Sequence, residues 1–216
     1  MREVQSGVWH WEAPHPDWAG PENEVFRQRL AAPNEAARGL VSSYAIDDGE
    51  RLLLFDRLAV SREIEELAAG RESVVVLISP WHERDTESLV AGLDAPVFTP
   101  PPDEGSPDVA WLLSATKRAA HLYSAGDRLP VGVEVFPGRL PNDVVLWIES
   151  SRAVIAGDTL VDFGQGLEIP VEWLPADVTR EQVAKDLEKL LDLPVEVVLA
   201  THGGPTDRAA LAHALA

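Results

Sequence analysis

The chain has 216 residues, 45% of them hydrophobic, no cysteine, and a formal net charge of −18 from 36 Asp and Glu against 18 Lys and Arg. That length and apolar content suffice for the full core of one domain spanning residues 1–216, while an acidic field of this size repels phosphate backbones and anionic lipid, so neither nucleic acid nor a membrane is an expected partner. The lack of cysteine removes disulfides, thiolate metal ligands and a cysteine nucleophile.

Met1 to Ser6 contains no apolar signal core, and no apolar run approaches the roughly 20 residues that span a bilayer, so a soluble cytoplasmic protein is expected. The first forty residues mix Trp9, Trp11 and Trp18 with Pro14, Pro16 and Pro33, which breaks any long element; Val8 to Trp11 reads as a short edge strand. Leu40 to Ile46 and Arg51 to Phe55 flank Asp47-Asp48-Gly49-Glu50, the composition of a hairpin turn. Ser61 opens a helix to Ala69, and the β-branched run Ser73 to Ile78 is a buried strand entering the polar loop Ser79 to Thr86. Pro96 to Thr99 is another strand, followed by a proline-rich loop from Pro100 to Gly105, and Trp111 to Tyr123 reads as a helix. Val131 to Phe136, Val144 to Ile148 and Ala153 to Ala156 are three further strands, and Thr179 to Leu191 is a helix with apolar positions at Val183, Leu187, Leu190 and Leu191. The strand Val195 to Ala200 and a helix from about Thr206 close the chain. Strands meeting helices in both halves predict an α/β/β/α sandwich, two mixed sheets face to face with helices outside.

Two of these strands end in polar motifs, Gly157-Asp158-Thr159 and Thr201-His202-Gly203-Gly204-Pro205, so each delivers one ligand-type side chain to a strand end. In order, spacing and strand context, this arrangement resembles the metallo-β-lactamase superfamily, in which a strand-end Asp bridges two metals and a strand-end His supplies the last ligand. The Trp9-x-Trp11-x-Ala13-Pro14-His15-Pro16 and Trp81-His82-Glu83-Arg84 segments also resemble a group of bacterial members of that superfamily, a membership that assigns no substrate. The resemblance implies a loop of the form His-x-His-x-Asp-His after the strand Val74 to Ile78. Here that loop reads Ser79-Pro80-Trp81-His82-Glu83-Arg84-Asp85-Thr86, with Pro80, Arg84 and Asp85 at three ligand positions and only His82 retained. The middle His of the family matches Arg139 in Phe136-Pro137-Gly138-Arg139, which the family places in a short turn.

The metal ligands left by this comparison are His82, Asp85, Asp158 and His202, enough for one zinc, manganese or iron ion with a bound water, but not for two. On that reading the protein is a metal-dependent hydrolase of esters or related bonds, with Asp158 or Asp85 positioning an activated water. Against it, a guanidinium about 4 Å from a divalent ion opposes binding by roughly 8 kcal/mol at an effective dielectric near 20, most of the roughly 10–16 kcal/mol of a well-built zinc site. The alternative is a metal-free, non-catalytic protein in which Arg84 and Arg139 neutralise Asp85 and Asp158 and, with His82, bind a small anion or serve a protein partner.

Plainer roles compete at several of these residues. His202 alone could cap a strand-to-helix turn, Asp158 could be a turn residue, and His82 could belong to the first turn of a helix capped by Asp85 or Thr86. His10, His15, His121 and His213 show no ligand spacing, and the tryptophans read as core and cover, with Trp81 placed to wall a pocket. Gly164-Gln165-Gly166 is a turn rather than a dinucleotide loop, and no Gly-x-Ser-x-Gly elbow is present.

Overall fold

The computed structural model describes residues 1–15, 39–56, 58, 62–82, 85–102 and 120–216. The first sheet contains β1 (Arg2–Gln5), β2 (Val8–Pro14), β3 (Leu40–Asp47), β4 (Arg51–Phe55), β5 (Glu72–Val76), β6 (Val97–Thr99) and β7 (Ala120–Leu122), hydrogen-bonded in that order. It is antiparallel from β1 to β4 and parallel from β4 to β7. The second sheet contains β8 (Arg128–Leu129), β9 (Val133–Leu140), β10 (Asp143–Ile148), β11 (Ala153–Gly157), β12 (Val197–Ala200) and β13 (Pro205–Thr206), in the order β13-β12-β11-β10-β9-β8.

The pleat divides the continuous apolar runs between two layers. In β4, Leu53 and Phe55 face the second sheet and join Val133, Leu146, Ile155 and Leu199 in the core between the sheets. Leu52 and Leu54 face outward, with Trp11 and Ala45, onto Ile64 and Ala68 of helix α1 (Arg62–Ala68). Helix α2 (Thr86–Leu93) covers Val75, Leu77 and Val97 through Leu89. On the far face, helices α3 (Arg180–Leu187) and α4 (Arg208–Leu215) bury Val183, Leu187 and Leu211 against Val145, Trp147, Val154 and Val198. The result is the expected α/β/β/α sandwich.

Several local expectations need correction. Val8 to Trp11 is not an edge strand: β2 runs to Pro14 and lies between β1 and β3, pairing with β3 from Val8↔Ile46 to Pro14↔Leu40. Of the helix expected over Trp111 to Tyr123, residues 111–119 lie outside the described residues, and Ala120–Leu122 is a strand paired in parallel with β6. The helix from Thr179 keeps its start, sealed by a capping box between Thr179 and Gln182, but passes into a 3-10 helix at Glu188–Asp192. Phe136-Pro137-Gly138-Arg139 is part of β9 rather than a turn between elements. Phe136 pairs with Val145 and Leu140 with Asp143, so Pro137, Gly138 and Arg139 together face Val144. This bulge re-aims Arg139 toward the strand ends of the second sheet.

Candidate active site

Four strand ends converge at one edge of the sandwich. β11 ends at Gly157 and presents Asp158, β12 ends at Ala200 and presents Thr201 and His202, and the bulge of β9 presents Arg139. The fourth, β4, ends at Phe55 and presents Asp56, whose positive φ of 44° is rare for a residue with a side chain. His82 comes from the 3-10 turn Pro80–His82 that follows β5. Asp56, His82, Asp158 and His202 are all less than 7% exposed.

Close backbone approaches hold these groups in place. Gly157 has φ +56°, and a Cβ there would stand 2.7 Å from Ile78 Cγ2. A Cβ on Gly138 would stand 2.0 Å from the Asp143 carbonyl oxygen and 2.5 Å from Thr159 Oγ1. The His202 loop is tied down on both sides: Ser42 N–H donates to the Thr201 carbonyl (2.8 Å), Asp162 N–H to the His202 carbonyl (2.8 Å), and Tyr44 hydroxyl to the Ala200 carbonyl (2.6 Å).

Asp158 is the hub. Its Oδ2 accepts from the Trp81 indole N–H (3.2 Å) and from Arg139 Nη2 (3.2 Å). Its Oδ1 lies 3.4 Å from His82 Nε2 and 3.5 Å from His202 Nε2. His82 Nδ1 in turn meets Asp56 Oδ2 at 2.7 Å, and the Thr201 hydroxyl donates to the same oxygen (3.1 Å), so each ring nitrogen of His82 faces a carboxylate. Arg139 Nε sits 2.7 Å from Oδ2 of Asp143, which is fully buried, and Nη1 donates to the Trp173 carbonyl (3.0 Å). The Arg139 guanidinium also stacks between Trp81 and Trp173, 5.8 and 5.7 Å from the ring centroids. His202 is enclosed by the rings of His15, Phe163 and Trp173.

One guanidinium is therefore shared by two buried carboxylates, and the two respond oppositely. Burial drives Asp158 upward, but the adjacent His82 and His202 outweigh it and hold the carboxyl well below the usual range. Burial, reinforced by the negative charge of Asp158, pushes Asp143 up to about 7 against the pull of Arg139.

The structure thus brings together His82, Asp158, His202 and Arg139 of the residues singled out in the sequence. Asp85 stands at the N-terminal boundary of α2 and makes no side-chain capping hydrogen bond, and Arg84 lies outside the described residues. Asp56, Asp143, Thr201 and Trp173 complete the site without having been singled out. Asp56 carried a usable signal, because Leu52 to Phe55 ends in an Asp just as the later apolar runs end in Asp158 and His202; Asp143, in a Pro-Asn-Asp turn, carried none. Among the described residues, no group of three or more His, Asp or Glu side chains is disposed to hold a metal ion. The donor set does not fit a two-metal centre: His82, Asp158 and His202 are too few donors for two ions, and the Arg139 guanidinium already pairs with Asp158.

No family model matches the chain, and no curated protein matches it. Solved structures do. A metallo-β-lactamase from Pontibacter korlensis superposes with a TM-score of 0.60 at 18% identity, covering 99% of this chain and 95% of its own. ST1585, an archaeal metallo-β-lactamase superfamily protein from Sulfolobus tokodaii, gives 0.59 at 15% identity over 81% of this chain and 78% of its own. TTHA1623, solved in a di-iron-bound form, gives 0.57 at 24% identity over 81% of this chain and 93% of its own. The two mixed sheets and the outer helices agree with these neighbours, and the chain has the metallo-β-lactamase fold.

Proposed function

We propose that this protein is a metal-free, non-hydrolytic member of the fold that acts by binding a small molecule, with Arg139 as the permanent cation of the former metal site. The observation that carries this reading is the guanidinium bridge, Nε to Asp143 at 2.7 Å and Nη2 to Asp158 at 3.2 Å, with the side chain only 10% exposed. A guanidinium keeps its charge at every pH a folded protein experiences. An ion held by Asp158 would have to displace Arg139, leaving that cation without Asp158, or bind beside it against its repulsion. The donors of Arg139 are turned inward, so ligand binding falls to other groups, and the net charge of −18 favours small molecules over nucleic acid or anionic membrane. No helix among the described residues is long and apolar enough to cross a membrane.

One observation favours a second reading, a single-metal hydrolase. Asp158 Oδ1 has no hydrogen-bond partner and faces two imidazole nitrogens at 3.4 and 3.5 Å, so a rearrangement of three donors that do not hold an ion as they stand would admit one. Elemental analysis of protein purified without chelators or a metal-affinity tag, with melting curves in zinc, manganese and iron, separates the two. The first reading expects far less than one ion per chain and no rise in melting temperature. About one ion per chain, a raised melting temperature and loss of both in His202→Ala would establish the second.

A further inference from the structure

The groups at the centre of the strand-end site are closed off: His82, Asp158 and His202 are 5%, 6% and 4% exposed. If that site takes a small molecule, as proposed above, part of its cover has to move. The rings around it belong to segments held in different ways. Trp81 donates to Asp158 and stands next to His82 in one 3-10 turn, so it moves only with a residue of the site. His15 directly follows β2, and its N–H donates to the carbonyl of Gly39, just before β3 (2.8 Å). Phe163 follows Asp162, whose N–H donates to the His202 carbonyl and whose Oδ1 accepts from the N–H groups of Gly164 and Gly166.

Trp173 is held otherwise. Residues 169–178 run from the bridge between Val161 and Glu168 to the capping box of α3; none of them is in a strand, and their one regular element is the 3-10 turn Val171–Trp173. The N–H groups of Trp173, Leu174 and Val178 donate to the carbonyls of Pro170, Val171 and Pro175, within the segment rather than to a sheet. Pro170 and Pro175 fix φ on either side, so the turn keeps its shape and moves as a unit. Side chains three apart share one face of a 3-10 turn, so Val171 and Leu174 look away from Trp173. On their side lies an open cleft of about 490 Å³, lined also by Pro175, Ala176 and Val178. Leu174 reaches the core under α3, but Val171 is 57% exposed. Unfilled space supplies no packing, so most of the hold on the turn comes from its inner face. There the Trp173 ring meets His202 and Phe163 edge-on, 5.4 and 5.7 Å between centroids, and Arg139 Nη1 donates to the Trp173 carbonyl (3.0 Å) with its guanidinium over the indole.

We propose that the turn Val171–Trp173 is a lid over the strand-end site and that Arg139 is its latch: when Nη1 releases the Trp173 carbonyl, the turn swings toward the outer cleft and uncovers His202. The inference rests on the small-molecule reading for what the open lid admits. One side chain then has two tasks, because Nε and Nη2 hold Asp143 and Asp158 while Nη1 is left for the lid.

Carbethoxylation of histidines by diethyl pyrocarbonate, read by peptide mass spectrometry on the whole protein, tests this without any ligand. His10 is as buried as His202, at 4%, but lies in β2 between two paired strands, so its reaction reports global unfolding. The expected result is that His202 reacts at least roughly tenfold faster than His10, because a local opening costs far less than unfolding. Its rate should not change in about 1 M urea, whereas that of His10 rises. Arg139→Lys keeps a cation beside the carboxylates, but a compact ammonium does not span both of them and the Trp173 carbonyl, so the His202 rate should rise at least roughly tenfold relative to His10. Pro175→Gly loosens the hinge at the cleft and should raise the same ratio at least roughly threefold, which supplies the test if the lysine variant does not fold. The proposal is overturned if His202 reacts no faster than His10, if urea accelerates both alike, or if neither variant changes the ratio of the two rates. A failed lid leaves the metal-free reading standing, whereas a stoichiometric bound ion overturns that reading with no bearing on the lid assay.

Discussion

Replacing Arg139 with Met tests whether a guanidinium carries the charge of this site. The substitution keeps an unbranched side chain between Trp81 and Trp173 but leaves Asp143 and Asp158, 0% and 9% exposed at their side chains, without their shared cation. Removing one partner of a buried ion pair costs about 3–5 kcal/mol. For a domain of this length each kcal/mol lowers the melting temperature by about 2–4 °C, so the expected fall is roughly 6–20 °C. The pH dependence has a definite sign. Asp143 already has its pKa raised to about 7 by burial and by Asp158; such a carboxyl holds its proton in the native state after the unfolded chain has lost it. Its ionisation therefore subtracts stability as pH rises from the unfolded value toward the folded one. Without Arg139 this loss deepens, and the variant should be closer to the parent at about pH 5 than at about pH 8. Adding Asp143→Asn and Asp158→Asn removes the stranded charges and should recover more than half of the deficit. Urea unfolding at both pH values measures all of this. A loss below about 1 kcal/mol, or a loss independent of pH and unrelieved by the Asn substitutions, refutes the role of Arg139 as buried counter-ion.

Three other outcomes follow from the same geometry. Arg139→His removes the competing cation and adds an imidazole beside His82, Asp158 and His202, so zinc uptake should rise toward one ion per chain by elemental analysis, where the parent takes up little; equal uptake by both proteins counts against the argument. Gly138→Ala places a Cβ 2.0 Å from the Asp143 carbonyl oxygen and should cost about 3 kcal/mol or more in chemical denaturation, whereas a cost under about 1 kcal/mol would mean that the bulge relaxes freely. His10, with its folded pKa lowered to about 4, contributes stability that is complete above its unfolded value of about 6.5 and is lost as pH falls between the two. After allowance for solvent screening this amounts to about 2 kcal/mol, and it should vanish in His10→Phe, which keeps the ring stack on Tyr44. An unchanged acid slope in that variant would rule it out.

What the sequence revealed of this molecule follows from which interactions are local. Apolar runs such as Leu52 to Phe55 and Val144 to Ile148 declare buried strands by composition, and Asp158 and His202 are legible because each closes such a run. The position of β2 inside the sheet was not legible, because an edge strand and an interior strand of one antiparallel sheet differ in what pairs on the far side, here only the four residues of β1. The bulge in β9 was hidden for a similar reason. Pro137-Gly138 is turn chemistry in isolation, and only the register against Asp143 and Val145 makes it a strand irregularity. Asp143 could not be found at all from the chain, since its importance lies in burial beside a guanidinium that the bulge turns inward.

On the metal-free reading proposed above, Arg139 is a built-in cation, and its surroundings fit that role. Were there no such cation, Asp158 would be a buried carboxylate beside imidazoles alone, and nothing would favour a second carboxylate nearby. Instead the site holds Asp143, fully buried and paired with Arg139 at 2.7 Å, and a glycine at position 138 that allows β9 to press against the Asp143 carbonyl and Thr159. The guanidinium is suited to this place by shape as well as charge. Its planar fork reaches both carboxylates and the Trp173 carbonyl at once, and its faces lie between two indoles, contacts that a single ammonium could not make together. The Gly138 bulge, the second carboxylate and the stacked tryptophans are each explicable as support for a cation that is part of the chain, and none of them is required by a cation taken up from solution.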